Sequence, residues 1–353
     1  MSLLAPRITA AASKHQRYLS ASGLPSLYYD CYRRSISSTS PPKLAYEIIT
    51  DGNVVSSSSQ DNHPEKQTIV FLHGLLGNAK NLRTPAKKLT RQLPHLSAIL
   101  LDVRGHGGSS SGSQQQHYVQ PHNFHSCVQD IFQTLTPLGL VGEKSPIAIC
   151  GHSLGGRIAL QYTHTLQQQQ QQQQRRDHGI QTPKQTWILD SVPGTPDPSV
   201  HHVLKAISSI PLPVTCKSTL TETLMVEYKM NKAIAQWIAT NLKGKNDEFS
   251  WVFDLDIANE LVENFADQNF AQMIHEITNN SSHTPPLDSS IQLVMAGRNK
   301  EWKEDIVASL QSIPTFGDSF HMHKLENAGH WVHVDAVNEL TQLMVDGLSN
   351  TRR

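Results

Sequence analysis

The chain has 353 residues, of which 38% are hydrophobic and 17% are charged, and this composition excludes a chain that is disordered or fibrous as a whole. Its 30 basic and 30 acidic side chains leave no formal net charge, which argues against a nucleic-acid partner. Four cysteines without paired metal spacing exclude a disulfide scaffold and predict no metal site, and no apolar run approaches the roughly 20 residues that span a bilayer.

Residues 1–40 differ in composition from the rest of the chain. They carry five basic side chains, one acid (Asp30) and many serines, and their apolar residues fall near one side of a helix. This composition predicts an organelle transit peptide, and the arginines favour the mitochondrial matrix over the plastid. A weakly basic, disordered tail is the alternative interpretation.

After residue 40, apolar runs of strand length alternate with helical patterns. The runs predict strands at 44–50, 68–74, 97–103, 146–152, 186–192 and 291–297. The patterns between and after them predict helices at 81–93, 123–136, 154–166 and 335–348. The middle strands are nearly continuous in Val, Ile and Leu, as is typical of parallel strands buried on both faces. The alternation predicts an α/β protein with a doubly wound, mostly parallel sheet.

Two insertions interrupt this core, which we expect to comprise residues 41–190 and 291–353. The first contains eight consecutive glutamines and predicts a flexible loop over residues 167–178. The second, residues 191–290, is mostly helical in pattern. Because it leaves the carboxyl edge of the sheet, we expect it to form a helical cap.

The segment ICGHSLGGRIAL passes from a predicted buried strand directly into a predicted helix. In that context the pentapeptide GHSLG at 151–155 predicts a nucleophile elbow, a sharp turn that lifts the hydroxyl of Ser153 above the sheet. Glycines two residues before and after the serine are needed because a Cβ there would clash. The pentapeptide alone also fits an ordinary glycine-rich turn. The prediction of Ser153 as nucleophile therefore depends on the rest of the chain.

The segment FLHGLLGN ends an earlier predicted strand with His73 and Gly74. In hydrolases with a nucleophile elbow, this loop supplies one backbone donor for the oxyanion and the residue after the nucleophile supplies the other. By position, these donors are the N–H groups of Leu75 and Leu154. The alternative interpretation of His-Gly is a simple turn.

A histidine follows the last predicted strand, in the segment LENAGHWVHVD. Imidazole has an ordinary pKa of about 6.5 and can take and return a proton near neutrality. His330 is the candidate base because it lies in a turn after Gly329. His333 is the second choice and is expected to pack, whereas His321 and His323 alternate along a strand.

The acid of the expected triad has two candidates. The commonest layout places it after the strand that precedes the histidine, where this chain has Arg298 and Asn299. A neutral Asn cannot stabilise an imidazolium as a carboxylate does. Asp190 is favoured instead, because it ends the strand that follows the serine's helix. Asp256 is the alternative acid, although the same residue also fits the purely structural role of a helix cap.

These motifs resemble the α/β-hydrolase superfamily, and in particular the α/β-hydrolase domain-containing protein eleven group and its bacterial esterase relatives. The resemblance covers about residues 44–348 and rests on the segments HGLLGNAKN, LDVRGHGGS, GHSLGGRIAL, LDSVPG, AQWIATNL, WVFDLDIANEL and AGHWVHVD. It implies a mitochondrial serine hydrolase with Ser153 as nucleophile and His330 as base. The bacterial relatives imply Asp190 as the acid, whereas alignment with the eukaryotic ones brings in Asp256.

We therefore expect an enzyme that cleaves carboxylic esters or thioesters of small or lipid-like acyl groups through an acyl-enzyme, without a cofactor. Its partner would be a small-molecule ester or thioester. One alternative is a catalytically weak or inactive hydrolase-fold protein that binds a mitochondrial partner, and Asn299 is the feature that favours it. Another is a cofactor-free perhydrolase or C–C hydrolase, which uses the same triad.

Overall fold

The computed structural model describes residues 43–55, 66–110, 118–172, 181–279 and 289–349. The predicted leader, residues 1–40, lies outside these ranges, and so do residues 173–178 of the glutamine-rich segment. Among the helices of the described ranges, none combines the length and the apolar character that crossing a bilayer requires.

The described residues form ten strands. They are β1 (Tyr46–Thr50), β2 (Asn53–Val55), β3 (Gln67–Leu72), β4 (Leu96–Leu101), β5 (Ala148–His152), β6 (Gln185–Leu189), β7 (Leu242–Lys245), β8 (Glu248–Trp251), β9 (Ser290–Ala296) and β10 (Phe320–Leu325). Eight of them make one sheet in the order β2-β1-β4-β3-β5-β6-β9-β10, and β7 and β8 pair separately. The strands from β4 to β10 in that order are parallel to one another. Strand β1 is antiparallel to both of its neighbours, β2 and β4. The predicted mostly parallel sheet is confirmed.

Helices cover both faces of the sheet. In the described ranges they are α1 (Arg83–Gln92), α2 (Phe124–Leu135), α3 (Leu154–Gln172), α4 (Pro198–Ser208), α5 (Lys217–Val226), α6 (Lys232–Thr240), α7 (Leu255–Glu263), α8 (Phe270–Thr278), α9 (Glu304–Gln311), α10 (Val332–Asp335) and α11 (Val337–Leu348). One apolar cluster joins α2 and α3 to the sheet, and another joins α1 and α11 to it. Strands β3 to β6 are therefore buried at nearly every position.

The order of the strands reverses at β3. The chain runs from β3 to β4 on one side and then crosses back to β5 on the other. Ligand sites in open α/β sheets lie at the carboxyl ends of the strands beside such a reversal. The loops that follow β3 and β5, which carry Gly74 and Ser153, are therefore placed at the position where a site is expected.

The glutamine run differs from the predicted loop, because α3 continues through Gln172. Glutamine is a good helix former, and extending an existing helix costs far less than starting one. The run is also anchored: Gln167 is 1% exposed and its Nε2 donates to the carbonyl of Ile277 at 2.9 Å. Low complexity at residues 167–172 therefore does not prevent regular structure.

The segment 191–290 differs from a purely helical cap in two respects. Its described part contains the β7–β8 hairpin as well as five helices. Moreover, α8 packs on the sheet side, where Ile274 shares an apolar cluster with Leu160 of α3 and Leu293 of β9. An amphipathic pattern shows that a helix buries one face but not which surface covers it.

Candidate active site

Ser153 lies in a strained turn between β5 and α3. Its φ is +52°, in the left-handed region that non-glycine residues rarely adopt. A Cβ on Gly151 would lie 2.0 Å from the carbonyl oxygen of Gly155, and a Cβ on Gly155 would lie 2.3 Å from that of Leu72. Only glycine fits at either position, as the elbow motif predicts.

The backbone around Ser153 is fixed by its neighbours. Its N–H donates to the carbonyl of Leu189 at 2.8 Å, and its own carbonyl accepts from the N–H of Gly156 at 2.9 Å and from the hydroxyl of Ser191. A strained backbone conformation persists only where the surrounding contacts hold it in place, as these hydrogen bonds do. The serine is therefore held in one position at the carboxyl end of the sheet.

His330 and Asp190 are in direct contact, although 140 residues separate them in the chain. The Nδ1 of His330 lies 2.8 Å from Oδ2 of Asp190. The side chain of the aspartate is 0% exposed, whereas that of the histidine is 47% exposed. The carboxylate is thus shielded from water while the imidazole remains accessible to a ligand.

Asp190 is placed by β6 and held by three further donors. It follows directly after β6, with a φ of +45°, and its N–H donates to Val294 at 2.7 Å. Its Oδ1 accepts from the backbone N–H of Ala296 at 2.8 Å and from Nε1 of Trp302 at 2.6 Å, and its Oδ2 also accepts from Nδ2 of Asn299 at 2.7 Å. These hydrogen bonds satisfy the oxygens of a side chain that is buried away from water.

Asn299 therefore occupies the position where the commonest layout has an acid, and it contacts the carboxylate of Asp190. Sequence reasoning missed both this contact and the one from Trp302. The only available signal was that both residues closely follow the end of β9, at the same edge of the sheet as Asp190. The type of side chain alone did not indicate a supporting role.

Asp256 lies apart from these contacts. It is an exposed residue in the first turn of α7, and the N-cap of that helix is Asp254, whose carboxylate accepts from the N–H groups of Asp256 and Ile257. The helix cap that was expected at Asp256 is therefore formed by Asp254, two residues earlier. The Nδ1 of His330 is already paired with Asp190.

A second histidine, His152, connects the elbow to the loop of His330. Its Nε2 lies 2.7 Å from the carbonyl oxygen of His330, and because a carbonyl only accepts, Nε2 carries the proton. The ring of His152 packs between those of His330 and His333, with centroids 4.7 and 4.5 Å away. Burial, reinforced by these two imidazoles, lowers the pKa of His152 well below its ordinary value. His152 is therefore neutral.

His333 packs, as expected for the second-choice histidine. It is 4% exposed, and burial together with the nearby His330 lowers its pKa to about 3. It remains neutral near pH 7 and contributes one wall of the cavity described below.

The loop after β3 is held by His73. The Nδ1 of this residue donates to the carbonyl of Gly74 at 2.7 Å, and its Nε2 accepts from the N–H of Val103 at 3.0 Å. Both ring nitrogens are thus used within the protein, and burial lowers the pKa of His73 to about 4. The loop places Leu75 in the wall of the cavity, and Leu154 begins α3 directly after the serine.

Arg157 fastens the cap segment to α3. Its guanidinium donates to the carbonyls of Val192 and Gly194 at 2.6 and 2.7 Å and to that of Phe265 at 3.1 Å. In the chain, Val192 and Gly194 precede the cap helix α4, and Phe265 follows the cap helix α7. Burial lowers the pKa of Arg157 to about 10, so its charge persists at neutral pH. The side chain therefore ties both ends of this segment to the helix that starts at the serine.

Two spaces meet at Ser153, His330 and Trp331. One is a cavity of about 350 Å³, which we call the apolar chamber. Its apolar wall residues include Leu75, Leu76, Leu82, Val203, Trp237 and Val334. The other, which we call the polar cleft, has a volume of about 1180 Å³. Its charged wall residues include Asp197, Arg298, Lys300, Glu301, Lys303 and Asp305. Apolar residues such as Val192, Ile306 and Leu310 also line it, and Ser199, Val200, Ile234 and Phe265 line both spaces.

In the part of the chain that the structure describes, no group of three or more His, Cys, Asp or Glu side chains is arranged to hold a metal ion. The functional groups that the fold brings together at the two spaces are a serine, an imidazole and a buried carboxylate.

Comparisons with known proteins agree with this architecture. Residues 63–175 match the Hydrolase_4 family, described as serine aminopeptidase, S33. The sn-1-specific diacylglycerol lipase ABHD11 of Mus musculus is 25% identical over 276 residues, which cover 76% of each chain. Its counterpart in Xenopus laevis is 24% identical over 287 residues, covering 77% of this chain and 76% of the relative.

Solved structures share the fold at low sequence identity. A marine microorganism esterase superposes with a TM-score of 0.61 at 16% identity, covering 86% of this chain and 98% of its own. E-2-(acetamidomethylene)succinate hydrolase gives a TM-score of 0.55 at 12% identity, covering 80% of this chain and 92% of its own.

The sheet order and the elbow define the α/β-hydrolase fold, which the marine esterase shares. The similarity to these relatives confirms the resemblance to the ABHD11 group that the motifs predict, and it supports an ester-hydrolysing enzyme.

Proposed function

We propose that the protein cleaves carboxylic esters through a covalent acyl-enzyme, with Ser153 as nucleophile, His330 as general base and Asp190 as the acid that orients it. The single observation that carries this proposal is the 2.8 Å contact between His330 Nδ1 and Asp190 Oδ2, made by a histidine that shares both spaces with Ser153. A carboxylate on Nδ1 leaves Nε2 unprotonated and free to accept the proton of the serine hydroxyl.

The reaction follows from these positions. His330 takes the proton of Ser153 as its oxygen attacks the acyl carbon, and the imidazolium that forms is stabilised by the buried Asp190. The imidazolium then gives the proton to the leaving oxygen, and the acyl group remains on the serine. Water, deprotonated by His330, then attacks the acyl carbon, and the imidazolium returns that proton to the departing Ser153 oxygen as the acid is released.

The oxyanion that forms in each half of the cycle needs backbone donors. We assign them to the N–H groups of Leu75, on the loop after β3, and Leu154, at the start of α3. The first turn of a helix has N–H groups without helical partners, and its dipole favours negative charge. Losing one such donor costs about 10²–10³ in kcat.

The contacts of Asp190 weigh against an inactive, partner-binding protein. That alternative rested on Asn299, which stands where a triad acid is common. Because Asn299 donates to a carboxylate that itself contacts His330, its neutral side chain supports an acid instead of replacing one.

The substrate class is suggested by the apolar chamber and by the relatives. A space bounded by leucine, valine and tryptophan side chains favours hydrocarbon over polar groups. The relatives named above are diacylglycerol lipases, so lipid-like esters are the first substrates to examine and thioesters the second.

A fluorophosphonate probe tests the nucleophile. We expect the purified protein to be labelled at Ser153, and Ser153→Ala to lose both labelling and about 10⁴-fold or more in ester hydrolysis. Ser209→Ala, at an exposed serine that lines neither space, is the control that should still be labelled. A folded wild-type protein that neither reacts with the probe nor hydrolyses esters would contradict the proposal.

We also propose import into the mitochondrial matrix, on the composition of residues 1–40. A fusion of these residues to a fluorescent protein should enter mitochondria. Replacing their five basic residues by glutamine should abolish import, whereas entry into plastids would favour the second location.

A further inference from the structure

The two spaces at Ser153 differ in chemistry as well as in size. The apolar chamber has leucine and valine walls, and Trp237 of the cap helix α6 forms part of its lining. The polar cleft has side chains of both charges, and several of them, including Arg298, Lys300 and Lys303, are exposed to solvent. An ester has two parts that extend from the attacked carbon in different directions, and each part must occupy one of these spaces.

We infer that the apolar chamber binds the acyl chain and the polar cleft binds the alcohol part of the ester, with Trp237 setting the length of chain that fits. This inference rests on the proposed function. Its substrate class is an ester of a medium-length fatty acid with a bulky, polar alcohol.

The polarity of the walls assigns the two parts. An alcohol part with hydroxyl or charged groups would lose its hydration in the apolar chamber, which costs several kcal/mol when no hydrogen bond replaces it. Part of the polar wall is already in use, since both nitrogens of His73 and the Nε2 of His152 are paired within the protein, whereas the buried Nδ1 of His333 has no partner among the described residues. A hydrocarbon chain loses nothing there.

The order of the reaction agrees with this assignment. The alcohol must leave and water must enter while the acyl group stays on Ser153. The polar cleft, with its exposed walls, allows that exchange, whereas an acyl chain in the apolar chamber would not block it.

The volume limits the chain. One water-sized group occupies about 30 Å³, so the chamber of about 350 Å³ accepts roughly a dozen such groups. A straight acyl chain of about eight to twelve carbons would fill it.

Trp237 forms the boundary of the chamber together with Trp331. The centroids of the two rings lie 5.7 Å apart. Trp331, next to His330, lines both spaces, whereas Trp237 lines only the apolar chamber. Removing the Trp237 ring would lengthen the chamber without altering the polar cleft.

Two series of esters test the inference. In the first, p-nitrophenyl esters with acyl chains of 2 to 16 carbons share one leaving group. In the second, octanoyl esters of methanol, glycerol and glucose share one acyl group. For the wild-type protein we expect kcat/KM to rise about fourfold per methylene until the chamber is full, and then to fall.

Trp237→Ala should move the chain-length optimum to longer chains and raise the ratio of kcat/KM for the 16-carbon ester over the 8-carbon ester at least tenfold. Its relative rates on the three alcohols should stay within about twofold. Trp251→Ala is the matched control, because this second cap tryptophan stacks on Phe253 and lines neither space. It should leave the optimum unchanged.

Ser309→Trp should do the reverse, because Ser309 lines only the polar cleft. We expect it to lower the rate on the glucose ester at least tenfold relative to the methyl ester without moving the chain-length optimum. An active enzyme in which Trp237→Ala changes alcohol preference, or Ser309→Trp changes chain preference, would overturn the inference and leave the proposed function intact. A wild-type protein that cleaves no ester and does not react with fluorophosphonate would instead overturn both.

Discussion

The amide nitrogen of Asn299 donates at 2.7 Å to the same Asp190 oxygen that contacts His330. Two neighbouring strand ends, those of β6 and β9, therefore bring these side chains together. In the proposed mechanism the end of β6 supplies the acid, and a residue after β9 supports it. Because Asn299 Nδ2 and His330 Nδ1 contact the same oxygen, a carboxylate at position 299 would start within reach of the histidine.

This closeness predicts that the acid can be moved. Asp190→Asn should lower kcat by about 10³–10⁴, because a neutral amide cannot stabilise the imidazolium. Adding Asn299→Asp to that variant should restore at least tenfold of the lost kcat, with KM little changed. The measurement is kcat on one activated ester.

Asn299→Asp alone is the control for this prediction. It would place two carboxylates within hydrogen-bonding distance of each other, and like charges at that distance disfavour ionisation of both. We expect its kcat to fall below that of the wild-type protein. A double variant no better than Asp190→Asn, in a folded protein, would show that the end of β9 cannot supply the acid.

His152 should act as a positioning residue for His330. His152→Phe retains a ring between His330 and His333 but removes the donor to the His330 carbonyl. We expect a loss of about three- to tenfold in kcat, the range of one hydrogen bond, with KM within about twofold.

His152→Gln should recover most of this loss, because its amide nitrogen can reach the position of Nε2. Equal kcat values for the Phe and Gln variants would indicate that packing, and not the hydrogen bond, is the contribution of His152.

The elbow glycines should be irreplaceable. Gly155→Ala would force a Cβ to within 2.3 and 2.6 Å of the carbonyl oxygens of Leu72 and His73. We expect the free energy of unfolding in urea to fall by about 3 kcal/mol, and the folded fraction to lose fluorophosphonate labelling. Gly139→Ala is the matched control: its φ is +71° but no atom lies within 4 Å of the added Cβ, so only backbone strain of about 1–2 kcal/mol is expected. Normal labelling of Gly155→Ala would contradict the geometry of the elbow.

The stability of the protein should depend on pH through its buried histidines. Burial, reinforced by the nearby His73, lowers the pKa of His106 to about 4, while the unfolded chain takes up that proton near pH 6.5. The stabilising contribution of neutral His106 is thus complete above pH 6.5 and is lost as the pH falls towards 4, at about 1.4 kcal/mol per pH unit.

His106→Asn isolates this contribution. It removes the titrating group but keeps a donor for the Arg104 carbonyl, which Nδ1 now contacts at 2.9 Å. Between pH 4.5 and 6, the slope of unfolding free energy against pH should be smaller for the variant by about 1.4 kcal/mol per unit. Parallel slopes would mean that His106 is not held neutral.

Much of the fold was predictable because its signals are local. The apolar runs at 68–74, 97–103 and 146–152 correspond to β3, β4 and β5 within two residues at each end. The elbow motif could be located since its residues stand together in the chain and the clash that Gly151 avoids is with Gly155, four residues on, although Gly155 itself avoids the distant carbonyl of Leu72. By contrast, the helical end of the glutamine run depends on Gln167 meeting Ile277, 110 residues away.

The sequence by itself determined the central strands and the glycine-flanked turn at Ser153, because a run of apolar residues or a motif of five residues is visible in the chain. Only the tertiary structure paired His330 with Asp190 and left Asp256 apart, sent α8 to the sheet and gave Asn299 its partner. Those outcomes depend on which strand ends lie side by side, and the crossover of the sheet, which brings residues more than 100 positions apart to one edge, is a property of the whole packed core.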